Sequence, residues 1–198
     1  MLGYNIMGLD IKIIREQKEK IRKKMIRRLR SQNSALRGKR SRQIQEKLLL
    51  TKEFKTAGTV MVYVSLPEEV DTYYFIKEAL KQGKRIAVPY IEPPSQKITA
   101  SELKTLECLK KGPFGIYQPE PSSKKTVALK RIDLIMVPAI AYDNNNMRLG
   151  RGKGFYDRFL SERDLSSAKT IGLAFKFQIV DSLPASPHDR PVLSVITD

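Results

Sequence analysis

The sequence predicts an α/β protein: a mostly parallel central sheet flanked by helices in three layers (α/β/α), with a basic helical segment at the N-terminal end. Three observations point there. After Gly58, short apolar runs rich in β-branched residues alternate with amphipathic stretches. Those stretches carry start and stop signals suited to helices. Finally, the cationic excess sits in one segment that also has an apolar face at helical spacing. A chain of 198 residues fits one domain, taken as 1–198, with 1–11 as a loose extension.

In order along the chain, the first helix carries Ile14, Ile21, Met25 and Leu29 on one face and most of its cations on the other. A second helix is expected from about Ser34 to Leu50, with Leu36, Ile44 and Leu48 inward. "TVMVYVS" (59–65) reads as a buried strand. "DTYYFIKEALKQGK" (71–84) opens on an N-cap aspartate and closes at Gly83, as a helix does. "RIAVPYI" (85–91) is the next strand, and 92–126, with its five prolines, forms long connections around one or two short elements. "IDLIMVPAIAY" (132–142) is a third core strand, followed by a helix at about 154–165 and strands at 170–175 and 191–197. Functional loops in such folds lie beyond the carboxyl ends of strands. Polar segments stand there: "SLPEEVDT", "PYIEPP" and "AYDNNNMRLGRGKGFYD".

Composition narrows the chemistry. Cys108 and His188 are the only residues of their kinds, which removes a disulfide framework, a thiolate cluster and an all-histidine zinc site. Cys108 reads as a packing residue, and His188 as a turn or surface histidine. An enzyme built from this chain would rely on carboxylates, Lys, Arg, Tyr and backbone dipoles. No apolar run approaches the roughly 20 residues of a membrane helix, and the N-terminus lacks signal-peptide order, so a cytoplasmic protein without a membrane partner is expected. Of the net charge of +16, residues 12–42 hold +12, with 14 Lys or Arg against Glu16 and Glu19. A basic arm of that kind could also serve nucleic acid, although no RNA- or DNA-binding module pattern accompanies it.

The most distinctive string is "RLGRGKGFYDRFL" (148–160). Gly150, Gly152 and Gly154 let backbone N–H groups converge on one point, and Arg148, Arg151 and Lys153 add charge, so the string suits phosphate. It is neither a Walker loop nor a dinucleotide fingerprint, because Lys153 precedes glycine and the spacing is GxGxG. Asp157 either complements the dipole of the following helix or stands where a magnesium ligand belongs. A flexible turn with solvated cations is the plain alternative.

"VPAIAYDNNNMRLGRGKGFYDRFL" closely resembles the signature of the 5-formyltetrahydrofolate cyclo-ligase family. Lys18 and Arg22, "SLPEEVDT", "QGKRIAVP", "GPFGIYQP", "GLAFKFQ" and "HDRPVLSVIT" follow in the family's order, from about residue 15 to the end. The resemblance implies an enzyme that uses ATP and Mg2+ to cyclise 5-formyltetrahydrofolate to 5,10-methenyltetrahydrofolate, releasing ADP and phosphate, through phosphorylation of the formyl oxygen; a monomer is expected. It implies ATP binding by Lys18, Arg22, Arg148, Leu149, Gly150, Arg151, Gly152, Lys153, Gly154, Phe155 and Tyr156. Folate contacts are implied for Val64, Glu69, Arg151, Gly152, Lys153, Gly154 and Phe155, a magnesium role for Asp157 and Asp189, and a catalytic role for Arg151 and Lys153. Phe155–Tyr156 stands where the family commonly has two tyrosines, so one hydroxyl is missing.

Taken without that resemblance, Lys18 and Arg22 read as solvated cations, Glu69 as part of a helix-capping acidic loop and Asp189 as a turn cap. Tyr142–Asp143 reads as a turn at a strand end. An ATP-dependent kinase or ligase of another small acid remains open on the glycine-rich loop alone, as does the nucleic-acid-binding reading on the basic arm.

Overall fold

The computed structural model describes residues 3–92, 97–186 and 189–198, with side chains from residue 11 onward. Helix α1 (Gly3–Arg30) leads into α2 (Ser34–Leu50) and the short α3 (Lys52–Thr56). The backbone of 3–11, expected to be loose, belongs to α1, since no proline interrupts this stretch. In α2 the inward positions are Ser41, Ile44, Gln45 and Leu48, while Leu36 lies off that face and is 45% exposed, against expectation. The two buried polar residues have a structural use. Ser41 Oγ accepts from the Asp71 N–H at 3.1 Å, and Gln45 Oε1 accepts from the Phe75 N–H at 2.8 Å, so α2 satisfies donors at the start of the later helix Tyr73–Lys81.

Strand β1 (Thr59–Met61) is shorter than expected, and α4 spans Tyr73–Lys81. Its N-cap is Thr72 rather than Asp71, whose Oδ1 accepts from the Tyr73 N–H. After β2 (Arg85–Glu92) the chain returns as β3 (Lys97–Leu103), antiparallel to it along seven register pairs. The hairpin of β4 (Leu109–Lys111) and β5 (Tyr117–Pro119) follows. Cys108, expected to pack, is exposed in a 3-10 turn that turns Leu109 inward instead.

The third core strand is split. β6 (Leu134–Val137) ends at Pro138, which has no N–H for the sheet ladder, and β7 (Ala141–Asp143) joins another sheet with β8 (Arg148–Leu149). Helix α5 covers only Phe155–Leu160, followed by β9 (Lys169–Ala174), β10 (Ile179–Val180) and β11 (Ser194–Thr197). The main sheet runs β11-β9-β6-β1-β2-β3, parallel except for the edge strand β3, with helices on its faces. Successive strand residues feed opposite layers. Val60, Leu134 and Met136 pack with Leu29, Ile44, Leu48 and Phe75, whereas Met61, Ile135 and Val137 pack with Phe159 and Leu165. That alternation is the pleat period in a sheet covered on both sides.

From β1 the chain winds one way to β2 and later the other way to β6 and β9. The order therefore reverses between β1 and β6. In open α/β sheets the crevice beyond the carboxyl ends of strands at such a reversal is where ligands bind.

Candidate active site

The site occupies that crevice as a cavity of about 450 Å³. Four walls form it, and each is fixed by local sequence. One wall is the acidic loop after β1. Thr72 Oγ1 donates to the Tyr63 carbonyl at 2.8 Å and accepts from the Ser65 N–H, tying the loop's exit to its entry. Glu69 Oε2 accepts from the Leu66 N–H at 3.0 Å, closing the turn at 66–69. Val64 is buried and Glu69 faces the cavity.

A second wall is the glycine-rich loop, held from beneath by Asp143. This 4% exposed carboxylate accepts backbone N–H bonds from Asn145, Met147 and Leu183. Tyr142–Asp143 is thus a built anchor, more than a strand-end turn. Gly172 makes room for it, since a Cβ there would come within 2.5 Å of the Tyr142 ring. In the loop itself Gly152 (φ +91°) and Gly154 (φ +65°) adopt left-handed backbone that other residues resist. Arg148, with its side chain 2% exposed, hydrogen-bonds the Asp157 carboxylate in the first turn of α5, and its Nε has no partner among the described residues.

The third wall is α1. Lys18 and Arg22, one turn apart, both face the cavity. Lys18 pairs with Asp189 and donates to Ser186 Oγ at 2.9 Å, while Arg22 Nε donates to the Gly150 carbonyl at 2.9 Å. They are therefore structural links as well as cavity cations, and not idle solvated charges. The fourth wall, which the sequence did not single out, is the turn between β4 and β5. Phe114 takes φ +59°, and its ring packs on Phe155 at 5.6 Å, with Lys153 Nζ at 5.6 Å from the same ring. Gln118 locks that hairpin to β2 by accepting from the Ile91 N–H and donating to the Ile91 carbonyl. The sequence pointed there only through the Gly–Pro–Phe–Gly turn composition and through "GPFGIYQP" as one string of the family resemblance.

Every residue singled out from the sequence as a candidate ligand contact lines this one cavity, from Lys18 and Arg22 through Val64 and Glu69 to Arg148–Asp157 and Asp189. His188 lies outside the described residues. The Glu68–Arg151 contact favours the charged forms of both groups. Burial pushes the Glu68 carboxyl up, but hydrogen bonds from Arg151 and backbone bring it below the usual carboxylate range. Burial, with Glu69 adding, pushes the Tyr156 phenol far up, so it stays protonated; its hydroxyl is buried without a partner among the described residues. No group of three or more His, Cys, Asp or Glu suited to a metal occurs among the described residues. Glu69, Asp157 and Asp189 line the cavity, and of these Asp157 and Asp189 suit a cation held by one or two carboxylates and a ligand's oxygens, not an all-protein cage.

Cations, a glycine-rich loop, an acidic turn and an aromatic flank thus meet at the carboxyl edge of an open α/β sheet. Fold and site define an α/β protein with a charged, aromatic-flanked cavity at the switch point of its sheet. Comparison with known proteins narrows this class. The profile of the 5-formyltetrahydrofolate cyclo-ligase family matches residues 14–198, and the chain belongs to that family. It is 30% identical to the 5-formyltetrahydrofolate cyclo-ligase of Mus musculus, covering 92% of this chain and 94% of the relative. It is 29% identical to that of Haemophilus influenzae, covering 86% and 92%. Among solved structures, the NMR structure of Aquifex aeolicus 5,10-methenyltetrahydrofolate synthetase aligns with a TM-score of 0.79 at 31% identity, covering 91% and 89%. Neither the nucleic-acid reading nor that of a kinase for another small acid finds support in these matches.

Proposed function

We propose that the chain cyclises 5-formyltetrahydrofolate to 5,10-methenyltetrahydrofolate with ATP and Mg2+, releasing ADP and phosphate. One observation carries the proposal: residues that family resemblance assigns separately to nucleotide, folate and metal come from four chain segments and share one cavity. Its size falls within the roughly 300–1,000 Å³ common for small-molecule sites.

A formamide oxygen leaves poorly, and its carbon is a weak electrophile. Moving the γ-phosphoryl group to that oxygen makes it a leaving group, and the folate's own second nitrogen can then close the ring. The protein therefore needs no Ser, Cys or His nucleophile, in keeping with its single cysteine and single histidine. Its task is positioning and charge stabilisation. Lys18, Arg22, Arg148 and Lys153, with amides of the glycine-rich loop, would hold the polyphosphate. Arg151 and Lys153 would face the charge developing on the transferred group. Glu69 would accept hydrogen bonds from the pterin's amino and ring N–H groups, and Val64 and Phe155 would flank its rings. Tyr156 offers a protonated hydroxyl inside the same wall. Asp157 and Asp189 would hold magnesium, which supplies charge neutralisation between phosphate oxygens.

A cytoplasmic monomer belongs to the same proposal. All four walls come from one chain, and a lone cysteine suits a reducing compartment. No helix among the described residues is long and apolar enough to cross a membrane. The test is ADP release by the purified chain with each reactant omitted in turn. Release that needs 5-formyltetrahydrofolate supports the proposal, and release indifferent to it rejects the folate assignment.

A further inference from the structure

Arg151 meets two carboxylates, although family resemblance gives a role to only one of them. Its Nη2 donates to Glu69 Oε1 at 2.9 Å and to Glu68 Oε1 at 3.0 Å, while its Nε donates to Glu69 Oε1 at 3.3 Å. The Nε–Nη2 edge of the guanidinium is thus fully used. Neither hydrogen of Nη1 has a protein partner among the described residues. A guanidinium is planar and rigid, so fixing one edge fixes where the other points. Arg151 also lies among the cavity-lining residues, so the fixed group belongs to the ligand space.

Glu69 alone could not hold Arg151 this way once a ligand is present. Its Oε2 already closes the turn through the Leu66 N–H, and its Oε1 is the oxygen that a pterin donor would share. Glu68 has no such second duty toward ligand: it is absent from the cavity lining, and its side chain is 15% exposed behind Arg151. We infer that Glu68 is a positioning residue, which holds the Nη2 side of Arg151 while Glu69 is shared with substrate, and so keeps Nη1 directed at the oxygen that receives the phosphoryl group. This inference rests on the proposed function of Arg151.

The test compares Glu68→Ala, Glu68→Gln, Arg151→Ala and the Glu68→Ala/Arg151→Ala double variant in the full chain. Each is measured for kcat and KM with 5-formyltetrahydrofolate and ATP, alongside a thermal unfolding midpoint. A hydrogen bond to a charged group at a partly buried site supports an expected loss of about tenfold in kcat/KM for Glu68→Ala. The loss should fall mainly on kcat, with the midpoint only slightly lowered. Glu68→Gln, which keeps an acceptor oxygen, should recover part of it. In the Arg151→Ala background, removing Glu68 should cost nothing further, because the group it positions is gone. Wild-type kinetics for Glu68→Ala beside a crippled Arg151→Ala overturns this inference alone. An equal loss in both backgrounds also overturns it, since Glu68 would then act without Arg151. If Arg151→Ala itself is fully active, the role proposed for Arg151 falls, and this inference with it.

Discussion

Arg148 and Asp157 are joined across the glycine-rich loop, a guanidinium 2% exposed on one side and a carboxylate 29% exposed on the other. The two ends of "RLGRGKGFYD" are thereby fastened to each other, so the chain's own groups shape the turn between them. Asp157 pairs with Arg148 and is also the carboxylate proposed for magnesium. Asp157→Asn leaves a buried cation facing a neutral amide. Breaking a fully buried pair costs about 3–5 kcal/mol, and the partial exposure of Asp157 lowers the expectation to about 2 kcal/mol. Urea unfolding without ligand is the check, and an unchanged midpoint would show that Arg148 does not depend on Asp157.

Gly154→Ala tests the loop geometry. The backbone there is left-handed, and an added Cβ would come within 2.9 Å of Arg158 Nη1, which itself donates to the Lys153 carbonyl at 3.0 Å. The left-handed conformation alone costs an L-residue about 1–2 kcal/mol. A stability loss of about that size is expected, with a larger proportional loss of activity as the loop amides turn away. Full activity at reduced stability would argue against the anion nest.

Phe155→Tyr restores the hydroxyl that the family commonly carries. Phe155 is half-buried against Phe114, so the larger side chain is expected to leave stability within about 0.5 kcal/mol. Phe114→Ala should instead raise the KM for folate several-fold, because an aromatic pair contributes about 0.5–1.5 kcal/mol beyond its area. Steady-state kinetics on both variants reads the difference.

The Glu68–Arg151 contact sets a pH dependence. Because the Glu68 carboxyl lies below its ordinary 4.5 when folded, its contribution is present above that value and fades as pH falls through the lowered one. Arg151 stays charged throughout, raised by Glu69 and Glu68 despite burial. The unfolding midpoint of wild type should therefore fall more steeply below the ordinary carboxylate range than that of Glu68→Gln. Parallel curves would deny the contact.

Much of this architecture was legible because period and breakers are local signals. The parallel strands after Gly58 announced themselves as β-branched runs, and Gly83 marked the end of α4. What escaped was set by distant partners. β3 alternates only weakly and is held by β2 along its length, and Leu36 was misassigned because buried Ser41 and Gln45, which serve α4, define the inner face of α2. At the site, the glycine–cation string singled out from the sequence does line the cavity. Its fourth wall was not, because Phe114 reaches Phe155 only through a hairpin that Gln118 fastens to β2. The double pairing of Arg151 was hidden for the same reason: its carboxylates lie more than 80 residues away in sequence.

The central claim is tested most directly by near-ultraviolet absorbance of the purified chain mixed with 5-formyltetrahydrofolate and Mg2+, with and without ATP. The account expects the methenyl product's band to rise only with ATP, one ADP appearing per product formed. A flat trace with ATP present, from protein that still binds the nucleotide, would contradict it.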